Sequence, residues 1–516
     1  MSQVAPQPEF TPTTRARLVE MFSIAAPSVV TMTSYTVMQF VDGLMVSRIP
    51  GDGPYVAAQG NGGIVVWLLV SFALGVTGVI NSFVSQNLGA GTPRKGSFYA
   101  WAGLWMSIAS GLVLAMLIPL APMLFGFFGG YSGHSEELIK LETVYAQIML
   151  GGIGLTMASR ALSHFFYGLH RPIVVMVAAL VANLVNVLMN AILIFGEAGP
   201  PEGTPFADVF REIAQVTGAP TMGVAGAAVG TVIGAIVEFV IPLVLFLSPR
   251  YNREFGTRSA WKPEAKYYKD IARIGWPAGA MFTNEIVCWS YLMATLVPMA
   301  GVAAGEDGDL HNTAGWIALR YMHLSFMPAV GLSIALTAMV GKRLGAKRPD
   351  LAAATAQLGL LITVGYMLVC AALFVMFREP LIELFANTRE TDPDQVALLV
   401  AIGAKVMIIA AVFQVFDATA ISLTGVLRGA GDTFFPGMVT IIASWTCIVG
   451  AGHLAIALFP GWGSVGPWSG AALYIIVLGL ALGFRYVGGK WKTMSLVDGS
   501  TDTTLTKPDQ ETSASS

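Results

Sequence analysis

Long apolar stretches separated by short polar segments are the dominant pattern along the chain. A helix needs about 20 apolar residues to cross the hydrocarbon core of a bilayer, where it also satisfies its own backbone hydrogen bonds. Twelve stretches pass this test, and we number them spans 1 to 12. They are Leu18–Ser47, Gly62–Asn87, Phe98–Phe128, Leu141–Tyr167, Ile173–Phe195, Gly223–Leu247, Ile271–Met299, Ala314–Val340, Ala352–Phe377, Val396–Leu427, Phe434–Leu458 and Val465–Val487. The pattern predicts an all-α polytopic membrane protein.

Polar segments before, between and after these spans give a domain plan. We expect a tail at residues 1–17, an N-terminal lobe at 18–248, a loop at 249–270, a C-terminal lobe at 271–487 and a tail at 488–516. The end of the chain, from Asp498 to Ser516, is rich in Ser, Thr and Asp. Such a segment buries too little apolar surface to offset the entropy of ordering it, so we predict disorder there.

An internal repeat relates the two lobes. Val84 to Gly91 in span 2 reads VSQNLGAG, and Val340 to Lys347 in span 8 reads VGKRLGAK, 256 residues later. Two pseudo-symmetric six-helix lobes therefore run in the same sense across the membrane. Lobes related in this way leave a cleft between them, where transporters commonly bind their cargo.

Basic residues are unevenly distributed between the two sides of the predicted bundle. If the N-terminus is cytoplasmic, most of the 29 Lys and Arg residues fall in cytoplasmic segments, many of them in the loop at 249–270. Basic segments are retained on the cytoplasmic side. We therefore expect both termini in the cytoplasm and the chain in the plasma (inner) membrane.

Composition excludes several classes of protein. The chain is 55% hydrophobic and only 12% charged, against roughly 25% charged for a soluble protein. Its net charge of −2 gives no reason to expect nucleic acid as a partner. The three cysteines lie singly in apolar runs, and the sequence has no H-E-x-x-H, Walker A or Cys-x-x-Cys motif. We expect no cofactor, no enzymatic activity and no direct coupling to ATP.

Four oxygen-bearing side chains are predicted to lie at one level of the N-terminal lobe. At a rise of about 1.5 Å per residue, Asp42 of span 1, Asn186 and Asn190 of span 5 and Thr231 of span 6 fall within about 6 Å of one depth. A carboxylate, two amides and a hydroxyl suit Na⁺ or a carboxyl proton. Alternatively, Asp42 pins an unwound helix end and the asparagines are ordinary interhelical hydrogen-bonding groups.

Two acids, Glu285 of span 7 and Asp417 of span 10, are predicted near the middle of the C-terminal lobe. An ionisable group in a span is expensive and is by default a functional candidate. Either acid could serve a transported cation, including Na⁺. Alternatively, the acids form a static network with nearby basic residues that would modulate them, namely Lys405, Arg320 and His323.

Other polar and aromatic side chains within the spans have simpler interpretations. Arg160 and Glu238 lie at similar depth in spans 4 and 6, so we predict a structural ion pair. Aromatic, sulfur-containing and amide side chains would line a cleft that accepts flat organic cations. The candidates for such a lining are Tyr35, Met38, Gln39, Phe282 and Trp289, although packing is the alternative role for most of them.

Six short segments carry a resemblance to a known family. They are Phe40-Val-Asp-Gly, Ser85-Gln-Asn-Leu-Gly-Ala-Gly, Asn183 to Gly196, Gly223-Val-Ala-Gly-Ala-Ala, Gly275-Trp-Pro with Glu285 ten residues on, and Gly425-Val-Leu-Arg-Gly-Ala-Gly-Asp-Thr. In this order and spacing the sequence resembles the multidrug and toxic compound extrusion (MATE) family, most of all its bacterial NorM-type branch. The resemblance covers nearly all of the chain from Leu18 to Val487.

The resemblance implies a V-shaped fold of two six-helix lobes, of the MATE or MOP type, that works by alternating access. It implies export of small, often cationic, drug-like compounds in exchange for Na⁺ or H⁺. It also places Asp42 with Asn186, Asn190 and Thr231 in an N-lobe cation site, and Glu285 with Asp417 in a C-lobe cation site. We expect a monomer whose partners are small-molecule substrates and membrane lipids.

Two features depart from the family pattern, and one rival function remains. The loops Glu197–Thr221 and Gly301–Thr313 look longer than the family's usual turns. A flippase for lipid-linked precursors with a related two-lobed fold is the alternative, and it would need a strongly basic central cavity. Arg160, Arg320 and Lys405 supply some positive charge in the spans, but acids at least match them.

Overall fold

The computed structural model describes residues 14–51, 53–131, 134–201, 207–385 and 393–497. The predicted disordered end, 498–516, lies outside them, as does most of the N-terminal tail.

The α-helices of the N-terminal lobe and the loop after it are α1 Thr14–Val46, α2 Tyr55–Thr77, α3 Ile80–Gly89, α4 Pro93–Ala115, α5 Ala121–Tyr131, α6 Glu136–Gly168, α7 Pro172–Phe195, α8 Ala207–Thr217, α9 Val224–Phe246 and α10 Pro249–Phe255. Those of the C-terminal lobe are α11 Ala265–Tyr291, α12 Val297–Ala303, α13 Gly308–Gly345, α14 Pro349–Met376, α15 Arg378–Glu383, α16 Pro393–Ala430, α17 Phe434–Ala443, α18 Ala451–Leu458 and α19 Val465–Val487.

Twelve of the described helices, or runs of consecutive helices, are long and apolar enough to cross a membrane, which confirms the predicted number. Some spans consist of two or three helical segments. The second comprises α2 and α3, and the seventh joins α11 to α12 through a π-helical segment, Leu292–Leu296. A second π-helical segment, Ser444–Gly450, joins α17 to α18 in the eleventh span.

The two lobes have the same internal packing. In the N-terminal lobe α6 is central and packs on α2, α4 and α9, while α7 packs on α1 and α9. In the C-terminal lobe α16 is central and packs on α13, α14 and α19, while α17 packs on α11 and α19. Between the lobes α1 packs on α13 and α2 packs on α11, which is the exchange expected of a pseudo-twofold axis. The predicted pair of related six-helix lobes is confirmed.

The internal repeat has a direct structural role at the junction of the lobes. Gly89 of α3 lies against the backbone of Lys342, and Gly345 of α13 lies against the backbone of Gln86. A Cβ atom at either glycine would collide with the opposite helix. The repeated Leu-Gly-Ala sequence is thus explained, because each copy provides the gap into which the other copy packs.

Hydrogen bonds between the lobes are concentrated at one end of the bundle. We call this the basic end; it is the end at which α1 begins. There, Ser82 donates to the carbonyl oxygen of Arg428 at 2.6 Å, and the amide nitrogen of Gln86 donates to the carbonyl oxygen of Gly429 at 2.9 Å. The backbone nitrogen of Leu496, beyond the last span, donates to the amide oxygen of Gln86 at 2.7 Å. The junction extends toward the middle as far as a bond of 2.8 Å between the hydroxyls of Ser71 and Thr283.

The two loops expected to be unusually long differ in their structure. The predicted loop Gly301–Thr313 is wrong, because α12 continues to Ala303 and α13 already begins at Gly308. The side chain of Asp307 accepts from the backbone nitrogen of Asp309 at 2.9 Å and so caps the start of α13. The loop Glu197–Thr221 is long, as expected, and contains α8.

Candidate functional site

The four predicted side chains of the N-terminal lobe form one hydrogen-bonded cluster. The amide nitrogen of Asn190 donates to Asp42 Oδ1 at 2.7 Å, and lies 3.4 Å from Asn186 Oδ1. The amide nitrogen of Asn186 lies 3.3 Å from the hydroxyl oxygen of Thr231. Asp42 is only 5% exposed and Asn190 is fully buried. The structure therefore brings all four together deep inside the lobe.

Glycines on α9 determine how closely α7 approaches at this level. Gly226, Gly230 and Gly234 recur every fourth residue and face α7. A Cβ atom at Gly230 would collide with the amide oxygen of Asn190, and one at Gly234 would lie 3.1 Å from the Cβ atom of Asn186. Small residues at this spacing let two membrane helices pack closely. The glycines thereby place both asparagines beside Thr231.

Asp42 has no basic partner in the part of the chain that the structure describes, where the ion pairs involve other acids. A buried carboxylate without a counter-charge is unfavourable. The amide oxygen of Asn190 is also buried without a hydrogen-bond partner. A cation at Asp42 would satisfy the carboxylate, and rotation of the Asn190 amide would turn that oxygen toward the cation. The donor set therefore fits Na⁺ as well as a proton.

The two acids of the C-terminal lobe are less buried than Asp42. The hydroxyl of Tyr474 donates to Glu285 Oε1 at 2.8 Å. Glu285 and Asp417 interact repulsively, while the guanidinium of Arg428 attracts Glu285. Both acids are partly exposed. Two nearby carboxylates that repel each other attract a cation strongly, since its charge relieves the repulsion.

A polar network beside Glu285 involves the start of the second π-helical segment. The amide nitrogen of Asn284 donates to the hydroxyl of Ser444 at 2.8 Å, and the indole nitrogen of Trp445 donates to the amide oxygen of Asn284 at 2.8 Å. π-Helical turns recur at functional sites because they widen a helix locally. Here the wide turn is held against the residue that precedes Glu285.

The basic residues expected near the C-lobe acids lie elsewhere. Lys405, Arg320 and His323 are exposed, and among the described residues none of them forms an ion pair with either acid. The guanidinium of Arg320 instead lies 5.6 Å from the ring centre of Phe385. The structure thus does not bring these residues to Glu285 and Asp417.

Arg160 and Glu238 lie together in the N-terminal lobe, away from the Asp42 cluster. Arg160 Nη1 is 3.6 Å from Glu238 Oε1, and the Arg160 guanidinium is 4.1 Å from the ring centre of Tyr35. The hydroxyl of Tyr35 donates to the same carboxylate oxygen. Tyr35, which we considered for the cleft, is therefore held in a network that joins α1, α6 and α9.

The other candidates for the cleft lining have different surroundings. Gln39 is exposed and Met38 is half-buried on α1. Phe282 lies edge-on to Trp67 of the other lobe, with 6.0 Å between ring centres. Trp289 lies 6.2 Å from Trp468 within its own lobe. Phe282 is thus the aromatic candidate placed at the junction of the lobes.

Sequence reasoning missed two residues that interact with Glu285. Tyr474 is fully buried in α19, and Arg428 lies in the last turn of α16. The periodicity of apolar positions could not identify either residue. For Tyr474 the reason is that α19 is apolar on most sides. The sequence shows Arg428 directly before Gly-Ala-Gly-Asp, and glycines of this kind mark the end of a helix.

Twelve helices long and apolar enough to span a membrane, arranged in two equivalent lobes with acidic side chains inside each lobe, define a polytopic membrane transporter rather than an enzyme. In the part of the chain that the structure describes, no three His, Cys, Asp or Glu residues gather to hold a structural metal. The family model MatE matches residues 27–192 and 280–451, which together make up more than half of the sequence. The chain belongs to this family.

Known proteins similar to this chain extend over almost its whole length. "Probable multidrug resistance protein NorM" of Pseudomonas aeruginosa is 28% identical over 93% of this chain and 91% of its own length. "Multidrug resistance protein MdtK" of Pectobacterium atrosepticum is 26% identical over 87% and 91% respectively. These relatives confirm the resemblance to the NorM-type branch.

Solved structures share the fold. The outward-facing conformation of a multidrug resistance MATE family transporter of the MOP superfamily matches with a TM-score of 0.76 and 19% identity, over 93% of this chain and all of that one. A MOP superfamily transporter from Pyrococcus furiosus, whose reversed pocket polarity suggests a different function, matches with a TM-score of 0.77 and 18% identity, over 94% and 100%. The predicted MATE or MOP-type fold is confirmed.

Proposed function

We propose that the chain is a secondary antiporter that exports small organic, often cationic, drug-like compounds in exchange for entering Na⁺ or H⁺. The observation that carries the proposal is Asp42, a buried carboxylate that accepts a hydrogen bond from Asn190 and has no basic partner among the described residues. Ions that move through a membrane protein are bound by such intramembrane acids. No cofactor is needed, because the ion gradient supplies the free energy.

The Asp42 cluster provides the coupling step. Binding of Na⁺ or H⁺ neutralises the carboxylate, so its hydrogen bond from Asn190 weakens and the amide is free to rotate. Asn190 lies on α7 and Asp42 on α1, so this change alters the contact between the two helices. Because α1 also packs on α13 of the other lobe, the cation binding state can influence the junction between the lobes.

The C-lobe acids form the second cation site of the proposal. Glu285 and Asp417 are partly exposed, so they are accessible to a cationic substrate as well as to the coupling ion. Competition of the two cations for these carboxylates would provide exchange, since binding of one displaces the other. Flat aromatic substrates would contact Phe282 at the junction of the lobes.

We place the protein in the plasma (inner) membrane with both termini in the cytoplasm, so that the basic end faces inward. In that orientation the lobes are joined on the cytoplasmic side. We propose that the chain acts as a monomer, with small-molecule substrates and membrane lipids as its partners.

The flippase alternative is not favoured. It would need a strongly basic central cavity for phosphate, but Arg160 is paired with Glu238, and the guanidinium of Arg320 lies over the ring of Phe385. The NorM-type relatives bear the name of multidrug resistance proteins. We therefore assign an organic compound, rather than a lipid-linked precursor, as the cargo.

Dye efflux from cells that lack their own exporters tests the proposal. Cells with the wild-type chain should export a cationic dye, and Asp42→Asn and Glu285→Gln should each reduce export at equal expression. Lys405→Ala is the matched control, because it removes a charge from a span but not from the acidic sites. Dye efflux that is absent with the wild-type chain, or unchanged in both acidic variants, would contradict the proposal.

A further inference from the structure

Glu142, on the second turn of α6, is a buried carboxylate that the proposed exchange does not use. Its side chain is 1% exposed, although it lies near the end of the bundle opposite the basic end. The three other charged residues of the first turns of α6, Glu136, Glu137 and Lys140, are all exposed. Glu142 is therefore oriented into the lobe, and its burial requires a compensating group.

Two side chains from neighbouring segments contact this carboxylate. The amide nitrogen of Asn61 on α2 donates to Glu142 Oε1 at 2.6 Å, and His134 Nδ1 lies 3.3 Å from the same oxygen. His134 is 29% exposed, so it connects Glu142 to the surface. Within the described residues no Lys or Arg pairs with Glu142, and the first turns of α2 contribute only the neutral side chains of Tyr55, Gln59 and Asn61.

A layer of buried apolar side chains separates Glu142 from the Asp42 cluster. Val46, Ile194 and Ala227 lie one helical turn beyond Asp42, Asn190 and Thr231 respectively, and they belong to one packed group. Tyr145 is the only buried member of this group, among the described residues, with a polar side-chain atom.

Tyr145 places a hydroxyl within this layer, between the two polar regions. It lies three residues after Glu142 on α6, so both project from neighbouring positions on one helix face. Its hydroxyl hydrogen-bonds with the side chain of Gln59 on α2, and its ring packs with Val46 and Ile194, which lie one turn beyond Asp42 and Asn190. The polar side chain of Tyr145 therefore lies between the Glu142 group, which reaches the surface at His134, and the Asp42 cluster.

We propose that Glu142, held by Asn61 and His134, is the loading group through which the coupling cation reaches Asp42 from the end opposite the basic end. The inference rests on the proposed antiport and adds a route to its N-lobe site. The carboxylate attracts the monovalent cation at the mouth of the lobe. The Tyr145 hydroxyl offers the oxygen by which the cation crosses the apolar layer.

Transport by protein in liposomes tests this route, with the export rate measured as a function of the concentration of the coupling cation. Glu142→Gln keeps the size of the side chain and the bond from Asn61 but removes the charge. We expect the half-saturating cation concentration to rise about tenfold, while the maximal rate falls less than twofold. Glu142→Asp should recover most of the loss. Separate series with Na⁺ at fixed pH and with pH in the absence of Na⁺ identify which cation uses the route.

Two further variants keep the test decisive. Glu137→Gln removes an exposed acid from the same helix and should leave the half-saturating concentration unchanged. Tyr145→Phe keeps the ring in the apolar layer and should slow cation-driven export at limiting cation, which tests the same route if Glu142→Gln folds poorly.

The outcomes separate this inference from the proposed function. If wild-type protein shows no cation-driven export at all, the antiporter proposal fails. If wild-type export is driven by a cation and neither Glu142→Gln nor Tyr145→Phe changes the half-saturating concentration, only the loading route is overturned. A loss of thermal stability without a shift in cation dependence would assign Glu142 a purely structural role and would equally overturn the route.

Discussion

The acidic sites of the two lobes differ in burial and in their partners, although the lobes share one packing scheme. In the N-terminal lobe a single carboxylate, Asp42, is 5% exposed and receives a hydrogen bond from an amide. In the C-terminal lobe two carboxylates, Glu285 and Asp417, are partly exposed, and Glu285 interacts with both Tyr474 and Arg428. The equivalent lobes have therefore acquired different chemistry.

The difference indicates a division of labour. A sealed site made of a carboxylate, amides and a hydroxyl can distinguish a small inorganic cation from an organic one, because nothing larger fits among buried side chains. A more open pair of acids can accept a bulky organic cation as well. We therefore expect loss of the N-lobe acid to uncouple transport from the ion gradient, and loss of a C-lobe acid to affect substrate and ion together.

Asp42→Asn should have the largest effect, because it removes the only carboxylate of the N-lobe cluster while keeping its shape. We expect cation-driven export to fall by about 100-fold, the upper range of a coupling free energy between two sites. The measurement is the initial rate of export under an imposed ion gradient. Substrate binding by the purified variant should persist, and its loss would show that Asp42 does more than couple.

Arg160→Leu sharpens the comparison by testing Glu238, an acid of the N-terminal lobe that does have a basic partner. It leaves Glu238, whose side chain is 10% exposed, without its cation, and we expect a loss of about 3 kcal/mol in stability. Thermal unfolding of purified protein measures the effect. Arg160→Leu combined with Glu238→Gln should recover part of it. Undiminished folding and transport in the single variant would remove the structural role.

Glu285→Gln and Asp417→Asn should each reduce export by about tenfold, since each removes one of two charges that attract the same cation. The fold-reduction in export rate of the double variant should be smaller than the product of the two single fold-reductions, because both acids act on one ion. Half-saturating concentrations for substrate and for coupling ion should both rise. Fully independent losses would show that the acids serve separate sites.

Gln86→Ala tests the junction at the basic end, where both lobes must separate if the protein is to open there. It removes a bond of 2.9 Å to Gly429 and one of 2.7 Å from Leu496. Each is expected to contribute about 1 kcal/mol. Spin labels on α3 and α16 measure the distance across the junction. We expect a greater share of the molecules to show a long distance between the two labels. An unchanged distance distribution would mean that the glycine contacts alone maintain the junction.

Lys405→Ala, Arg320→Ala and His323→Ala should have the smallest effects, less than about twofold in export rate. Among the described residues, none of the three side chains forms an ion pair with Glu285 or Asp417. Dye efflux measured at several dye concentrations is sufficient to detect a change of this size in the export rate. A loss comparable to that of Glu285→Gln in any of the three would reveal a contact that forms in another conformation.

Helix geometry explains which parts of the site could be predicted from the sequence. A fixed rise per residue gives the depth of Asp42, Asn190 and Thr231 without any knowledge of packing, and the structure brings these side chains together. The same argument gave the depth at which Arg160 and Glu238 meet. The depth of a side chain in the membrane can therefore be predicted when its span has a clear beginning and end.

The direction in which a side chain points is harder to predict from the sequence of a membrane protein. A span that is apolar on all sides has no hydrophobic face that identifies its inner side. For this reason the sequence did not reveal that Tyr474 reaches Glu285, or that Lys405 forms no ion pair with either acid among the described residues. The early start of α13 was also missed, because His311 and Asn312 look like loop residues until Asp307 is seen to cap the helix.

Transport into liposomes with separately imposed gradients tests the central claim most directly. Purified protein is reconstituted, and accumulation of a cationic dye is followed with a Na⁺ gradient alone, a pH gradient alone, or neither. We predict that one gradient drives accumulation against the dye gradient in the wild-type protein and that Asp42→Asn abolishes it. Equal accumulation with and without gradients, or full activity of Asp42→Asn under the productive gradient, would contradict the account.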